Sequence, residues 1–235
     1  MTLKEVERLR PEDFKDINVP ISTMLKWFDV CDAYWMHSGK IEDPHVELTS
    51  GKCSNGFFDC LRVLKYLNLS EILANQMARK IRFYMPNEKI DWVIGSPMAG
   101  ITFGHDVARA LGAKIFMFTE KDPSQNGKML WKRVQIPEGE TVLQIEELIT
   151  TSTTLNAVKE AVDEGNYSPV NWVPFIGVLV HRPPELPVSY YGDRGVISLI
   201  EKRVWAVEAS ECELCANGSQ RFRPKTHWAE LTGKR

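Results

Sequence analysis

Residues 142–154 read VLQIEELITTSTT, and this stretch decides the fold class. Four mostly apolar residues lead into two adjacent carboxylates, Glu146 and Glu147. Two more apolar residues follow, and then come five hydroxyl side chains in a row, at positions 150–154. The next segment, LNAVKEAV, has apolar residues at helical spacing. The pattern predicts a buried strand, a hydroxyl-rich loop and a helix.

Short apolar runs alternate with amphipathic segments on both sides of this stretch. The predicted strands are DWVIGS (91–96), AKIFMFTE (113–120), TVLQIEE (141–147), VPFIGVLVHR (173–182) and one or two within 195–209. The predicted helices between them are ITFGHDVARALG (101–112) and LNAVKEAVDEG (155–165). Strands that alternate with helices form parallel sheets, in which strands buried on both faces have continuous apolar runs. The predicted fold is therefore α/β, with a parallel central sheet flanked by helices.

The composition is that of an ordinary globular protein. The chain has 235 residues, 43% of them hydrophobic and 26% charged, with a net charge of −2, so no basic field indicates a nucleic-acid partner. No apolar run reaches about 18 residues, so we expect no membrane span. The first 16 residues are charged and lack the apolar centre of a secretory signal. Five sparse cysteines indicate reduced thiols, which favours a cytoplasmic location.

The loop that precedes the helix at 155–165 is a candidate anion site. The start of a helix offers free backbone N–H groups and a positive dipole end, and nearby hydroxyls add donors. The alternative is that these Thr and Ser residues only cap the helix. Glu146 and Glu147 favour the first interpretation, because carboxylates beside a phosphate site are suited to accept hydrogen bonds from sugar hydroxyls. The sequence thus predicts a phosphorylated sugar as ligand.

This stretch resembles the phosphoribosyl-diphosphate (PRPP) motif of type I phosphoribosyltransferases, which consists of a strand, an acidic pair, two apolar residues, a hydroxyl-rich loop and a helix. Other stretches are similar to the orotate phosphoribosyltransferases in particular: VELTSGKCSNGFFD (46–59), VIGSPMAGITFGHDVARALGAKIFMFTEKD (93–122), GKMLWKR (127–133), VLVHRPPE (178–185) and CELCANGSQRFRPK (212–225). The resemblance covers roughly residues 30–225.

This resemblance implies a type I phosphoribosyltransferase fold with a small hood, built from the N-terminal segment and C-terminal elements. It implies three parts: residues 1–60 with N-terminal helices and hood segment, residues 61–209 as the α/β core, and residues 210–235 as a C-terminal extension. The implied reaction joins PRPP and orotate to give orotidine 5′-monophosphate and pyrophosphate, with Mg²⁺ carried by PRPP and not bound directly by the protein. It also implies a homodimer whose mobile loop, at 121–133, reaches the neighbouring active site.

The resemblance further implies the role of each site residue. Lys121 and Lys128 take the catalytic positions, the first near the diphosphate and the second in the mobile loop. Glu146 and Glu147 bind the ribose hydroxyls. The remainder of the PRPP site is the diphosphate loop and the 5-phosphate loop with the two residues before it: Met98, Ala99, Gly100, Leu148, Ile149, Thr150, Thr151, Ser152, Thr153 and Thr154. The implied orotate site is formed by Phe57, Phe58, Thr150 and Arg182.

Each of these side chains also has a simpler interpretation. The phenylalanines could be core, and the arginine and lysines could be surface charges. Some positions depart from the family pattern: the acidic pair is Glu-Glu, Ser152 and Thr153 stand where glycine is usual, Thr49 stands where lysine is common, and Glu120 stands where arginine is frequent. A non-glycine residue forced to positive φ costs about 1–2 kcal/mol. A transferase for another base and a non-catalytic PRPP-binding protein therefore stay open beside the orotate enzyme.

Two further expectations concern local features. Ser70 is a plausible N-cap within a helix-rich segment at 60–85. Cys212 and Cys215 form a single CxxC pair, whereas zinc takes four ligands and usually two such pairs. The further ligand candidates are His227, Cys31, Cys53 and Cys60, and a bound zinc is not the favoured interpretation.

Overall fold

The computed structural model describes residues 1–234. Its helices are α1 (Leu3–Glu7), α2 (Ile21–Val30), α3 (Leu61–Leu64), α4 (Leu67–Tyr84), α5 (Ala99–Leu111), α6 (Thr153–Gly165), α7 (Glu213–Ala216) and α8 (Trp228–Thr232), with 3₁₀ turns at Pro11–Phe14 and Ala209–Glu211. Its strands are β1 (Tyr34–Met36), β2 (His45–Glu47), β3 (Cys53–Ser54), β4 (Gly56–Phe58), β5 (Trp92–Gly95), β6 (Ile115–Phe118), β7 (Glu120–Lys121), β8 (Met129–Leu130), β9 (Thr141–Ile149), β10 (Asn171–His181), β11 (Tyr190–Tyr191), β12 (Arg194–Glu201), β13 (Ala206–Val207) and β14 (Arg221–Phe222).

The central sheet has six strands in the order β11-β12-β10-β9-β5-β6. Every neighbouring pair is parallel except β11 with β12, which is antiparallel at the edge. Its middle strands are buried on both faces, which explains their continuous apolar sequences. The predicted α/β fold with a parallel sheet flanked by helices is confirmed.

Helix α5 lies very close to the strand that precedes it, and this contact positions the loop between them. A side chain on Gly95 would stand 2.6 Å from the carbonyl oxygen of Gly100. Glycine at position 95 therefore lets the helix start directly against the sheet. The helix ends as predicted at Gly112, which has a φ of +69°.

A hood covers one end of the sheet and joins distant parts of the chain. Its four-stranded sheet has the order β13-β3-β2-β14, so two strands from the N-terminal region lie between two strands from the C-terminal region. Strands β1 and β4 pair beside it. The hood expected from the resemblance is present, and both ends of the chain build it.

Two local expectations need correction. Ser70 is not an N-cap: it lies inside α4 and donates to Asp106 over 2.5 Å, and α4 starts at Leu67. Strand β9 continues to Ile149, two residues past the acidic pair. The segment at 121–133, expected to be a mobile loop, contains a hairpin formed by β7 and β8. The side chains of Met129 and Trp131, which follow the hairpin tip, are buried in a cluster with α6.

Candidate active site

A cavity of about 640 Å³ lies where β9 and β10 end beneath the hood. Ligands bind at the carboxyl ends of strands in open α/β sheets, so this is the expected place for a site. Six of the residues predicted from the sequence line it: Phe57, Phe58, Ala99, Glu147, Leu148 and Arg182. The structure therefore brings together residues that are up to 125 positions apart in the chain, from 57 to 182.

Glu147 reaches the cavity with an unsatisfied carboxylate. Its Oε2 atom is buried and has no hydrogen-bond partner among residues 1–234. Burial raises the pKa of this carboxyl, and the nearby Lys121 ammonium acts in the opposite direction. Gly100 leaves room for it, because a side chain there would stand 3.1 Å from this oxygen. A buried acceptor without a partner is costly, and a ligand hydroxyl would satisfy it.

Glu146 does not share this position, contrary to the expected pair of ribose ligands. Its side chain is only 2% exposed and bonds to Ser96 Oγ, while its Oε1 accepts from Gln144 Nε2 over 2.8 Å. The physical reason is strand geometry: because β9 continues through Ile149, adjacent residues point to opposite faces of the sheet. Of the two adjacent glutamates, only Glu147 faces the cavity.

The repulsion between the adjacent glutamates is relieved by protonation. Burial raises the pKa of Glu146 to about 8, so the folded protein holds it neutral at pH 7. Gln144, which bonds to it, in turn accepts from Arg194 Nη1 over 2.8 Å. This buried chain of hydrogen bonds fixes Glu146 as a structural group.

The Glu146→Gln variant tests this assignment through pH. The pKa of Glu146 is 4.5 in the unfolded chain and about 8 in the folded protein. The folded protein therefore loses no stability through Glu146 below pH 4.5, and it loses stability steadily as the pH rises from 4.5 to 8. Glutamine does not titrate. We therefore expect the free energy of unfolding of the variant, minus that of the wild type, to increase by on the order of 3 kcal/mol from about pH 5 to pH 8. Urea unfolding at several pH values measures this, and parallel profiles would contradict it.

Arg182 is the second charged group that the protein leaves without a partner. It follows β10, where its backbone N–H donates to Ile149 over 2.8 Å. Its Nε is buried and unsatisfied within the described part of the chain, and burial lowers the pKa of the guanidinium. A planar donor in this setting is suited to a carboxylate or phosphate ligand.

The two phenylalanines form an apolar side of the cavity. Phe58 is part of the main core and packs against Tyr34, with ring centroids 4.8 Å apart. Phe57 belongs to the hood and packs against Trp228 at 5.9 Å. Both therefore serve as core and as cavity wall at once, so the two interpretations of these residues do not exclude each other.

The hydroxyl loop lies at the start of α6, as predicted. Within the described residues Ser152 precedes the helix without a capping hydrogen bond from its side chain, and the Thr151 and Thr153 hydroxyl oxygens are 3.2 Å apart. The simple capping interpretation therefore does not account for these hydroxyls. Ser152 has a φ of −77°, so the expected strain from a missing glycine does not arise.

One predicted lysine and one residue of the hydroxyl loop line a second cavity. This cavity, of about 550 Å³, lies between the hairpin tip and α6, and Lys128 and Thr153 both line it. Lys121 is exposed on β7, and its positive charge opposes the rise that burial causes in the pKa of Glu147. Ile149, which the resemblance places in the PRPP site, is only 3% exposed and packs in the sheet, so its side chain is not available to a ligand.

The structure adds cavity residues that the sequence interpretation did not include. Cys60 lines the cavity and donates to the Glu147 carbonyl oxygen over 3.3 Å. Arg223 and Lys225 line the hood side, and Arg223 donates to Glu47 over 2.6 Å. The alternating basic residues of RFRPK could have indicated an anion-binding edge, but the hydrogen-bond partner of Arg223 is 176 positions away.

Comparison with known proteins shows which family the chain belongs to. Residues 63–213 match the family model described as phosphoribosyl transferase domain. The orotate phosphoribosyltransferase of Thermoanaerobacter sp. (strain X514) is 33% identical over 187 residues, which cover 79% of this chain and 90% of that protein. The enzyme of the same name from Pelotomaculum thermopropionicum is 33% identical over 195 residues, 82% of this chain and 94% of that protein.

Solved structures show the same fold. The orotate phosphoribosyltransferase from Aeropyrum pernix aligns with a TM-score of 0.54 at 14% identity and covers 76% of this chain and 93% of that one. Leishmania donovani UMP synthase aligns with a TM-score of 0.55 at 17% identity over 80% of this chain and 37% of that longer chain. With the family model and the relatives above, these findings agree with the resemblance seen in the motifs. The chain belongs to the phosphoribosyltransferase family, among its orotate phosphoribosyltransferases.

Proposed function

We propose that this protein transfers the phosphoribosyl group of PRPP to orotate, giving orotidine 5′-monophosphate and pyrophosphate, a step of pyrimidine biosynthesis. One observation carries the proposal: the same cavity holds a buried carboxylate oxygen, on Glu147, and a buried guanidinium nitrogen, on Arg182, that the described protein leaves unbonded. The first calls for a hydroxyl donor and the second for an anionic acceptor. A ribose together with a carboxylated base supplies both.

Positioning supports the chemistry in this site. As pyrophosphate leaves, the C1 atom of the ribose gains positive charge, and the orotate nitrogen must lie opposite the breaking bond. Arg182 orients orotate through its carboxylate, while Phe57 and Phe58 bound the ring. Glu147 holds the ribose hydroxyls, and the loop from Thr150 to Thr154 takes the 5-phosphate. Holding both reactants in line supplies much of the rate enhancement in such reactions.

Mg²⁺ fits this site as a partner of PRPP. The metal would be carried by PRPP, where it would neutralise the charge of the diphosphate, while Glu147 Oε2 stays free to accept from the ribose hydroxyls. Lys121 and Lys128 add positive charge on the hairpin side, and the backbone from Met98 to Gly100 faces the diphosphate.

The hairpin of β7 and β8 bears on how the protein assembles. We propose a homodimer in which the tip around Lys128 serves the neighbouring site. Mixing a Lys128→Ala protein with an Arg182→Ala protein should then restore one intact site in each heterodimer, which is about a quarter of wild-type activity for statistical exchange. Exchange is monitored by mass spectrometry. If an exchanged mixture stays as inactive as its parents, the tip serves its own subunit, as the cavity between Lys128 and Thr153 also permits.

We also propose a division of the chain into three parts and a cytoplasmic location. The proposed division is into residues 1–60, 61–209 and 210–235. The hood sheet supports grouping the first part with the last, because β2 and β3 share a sheet with β14, but β13 joins this sheet from within the second part. A cytoplasmic location is supported by the five unpaired cysteines. No helix in the described part of the chain is long and apolar enough to cross a membrane.

An absorbance assay with PRPP and Mg²⁺ tests the proposed activity. Orotate is compared with uracil, hypoxanthine and adenine under identical conditions. We expect turnover with orotate and formation of orotidine 5′-monophosphate. Turnover with another base would indicate a different transferase, and PRPP binding without any turnover would indicate a non-catalytic protein.

A further inference from the structure

Four metal-binding side chains converge in the hood, away from the cavity. They are His45 on β2, Cys53 on β3, and Cys212 and Cys215 beside and within α7, and their ligand atoms all lie within 4.8 Å of one another. His45, Cys53 and Cys212 are buried, and Cys215 is partly exposed. We propose that these four residues form a structural Zn²⁺ site with three thiolate ligands and one imidazole ligand.

The distances fit tetrahedral coordination. With about 2.3 Å from zinc to sulfur and about 2.0–2.1 Å to nitrogen, a regular tetrahedron separates two sulfurs by about 3.8 Å and a sulfur from a nitrogen by about 3.5 Å. The Sγ atoms of Cys53 and Cys215 are 3.5 Å apart. The His45 Nε2 atom lies 3.6 Å from Cys212 Sγ and 3.4 Å from Cys215 Sγ.

The hydrogen bonds of His45 fix the tautomer that a metal requires. Ser219 has one hydroxyl proton, and it donates this proton to the carbonyl oxygen of Asp43 over 2.7 Å. The His45 Nδ1 atom, 2.8 Å from the same hydroxyl oxygen, must therefore be the donor in that contact. The lone pair then lies on Nε2, which faces the cysteine sulfurs. Metal-binding histidines are held in this way by a second hydrogen bond.

Charge and ligand chemistry favour zinc over a disulfide. A disulfide would bring two sulfurs to about 2.05 Å and use only two of the four side chains. Three thiolates and an imidazole select zinc among the metals of a cell. Their net charge with Zn²⁺ is −1, and the Arg221 Nη1 atom lies 4.0 Å from Cys53 Sγ, where its positive charge compensates.

The site would hold the C-terminal segment onto the hood. Six residues after Cys215 the chain forms β14, which pairs with β2, and two basic residues of the cavity wall, Arg223 and Lys225, follow directly. The hood sheet has strands of only two or three residues, which are weak without a further link. A metal that binds β2, β3 and α7 at once supplies this link.

Metal analysis of the full chain, purified under reducing conditions without a metal-affinity tag, tests the proposal. We expect about one zinc per chain by mass spectrometry. The Cys212→Ser and Cys53→Ser variants should lose it, while Cys31→Ser, which changes a buried cysteine outside the cluster, should keep it. Retention of zinc in the first two variants would place the metal elsewhere and overturn the assignment.

Two measurements on the wild type keep the test decisive even if the variants fail to fold. Titration with a thiol-blocking mercurial should release one zinc as the cluster cysteines react. Replacement by Co²⁺ should give the visible bands of tetrahedral cobalt and a thiolate charge-transfer band. A zinc-free protein that shows neither signal with added metal, or a Cys53–Cys215 disulfide found by peptide mapping, would overturn the proposal. None of these readouts depends on transferase activity.

Discussion

Replacing Arg182 with alanine should weaken orotate binding by about 2–5 kcal/mol and leave PRPP binding nearly unchanged. The loss is large because the orotate carboxylate would be left unpaired in a partly buried site. The side chain of Arg182 forms no ion pair or hydrogen bond with another described residue, so its removal breaks no internal polar interaction, and we expect the fold to persist. Calorimetry with orotate and with PRPP, together with thermal unfolding, measures all three quantities.

Two comparisons sharpen this prediction. Arg203→Ala removes an exposed arginine that bonds only to Pro184 and Glu185, and it should leave both affinities unchanged. Arg182→Lys keeps the charge but loses the planar fork, so its orotate affinity should fall between wild type and alanine. Equal losses for orotate and PRPP in Arg182→Ala would mean that this arginine does not select the base.

Replacing Glu147 with glutamine should weaken PRPP binding by about 1.5–3 kcal/mol, which is roughly 10- to 150-fold. The carboxylate accepts from ribose hydroxyls as a charged group, and the amide offers a single neutral oxygen. The apo protein should become no less stable, because the change removes a buried charge whose Oε2 has no partner in the described structure. Calorimetry with PRPP and Mg²⁺ measures the affinity.

The Glu146→Gln variant is the matched control. It makes the same chemical change one residue away, on the other face of β9. PRPP affinity should stay within about twofold of wild type, because Glu146 bonds to Ser96 and Gln144 and not to ligand. A loss in Glu146→Gln that equals the loss in Glu147→Gln would restore the acidic pair as joint ribose ligands.

Local sequence patterns were sufficient for the central sheet. The strands at 91–96, 141–147 and 173–182 are continuous apolar runs because helices cover both faces of the sheet there, and such runs need no distant information. The strand at 113–120 lies at the edge of the sheet and is partly exposed. Boundaries were harder to predict. Strand β9 continues through Leu148 and Ile149 because it pairs with β10 as far as His181, and this pairing is not visible in β9 itself.

The site was predictable where a motif is contiguous and not where it depends on distant partners. Glu147, Arg182 and the two phenylalanines were identified by resemblance, and the structure places all of them at one cavity. The burial of Glu146 depends on Ser96, which is 50 residues away. In the hood cluster, Cys53, Cys212 and Cys215 were among the candidate ligands, but His45 was missed for the same reason. It meets the CxxC pair only after the two ends of the chain share a sheet.

A crystal structure with orotate and a non-reactive PRPP analogue would show whether Arg182 binds orotate and Glu147 binds the ribose. We expect the orotate carboxylate within hydrogen-bond distance of the Arg182 guanidinium and a ribose hydroxyl on Glu147 Oε2. The cavity also offers Arg223 and Lys225 on its hood side. Orotate bound with its carboxylate on that side, or ribose hydroxyls that do not reach Glu147, would contradict the account.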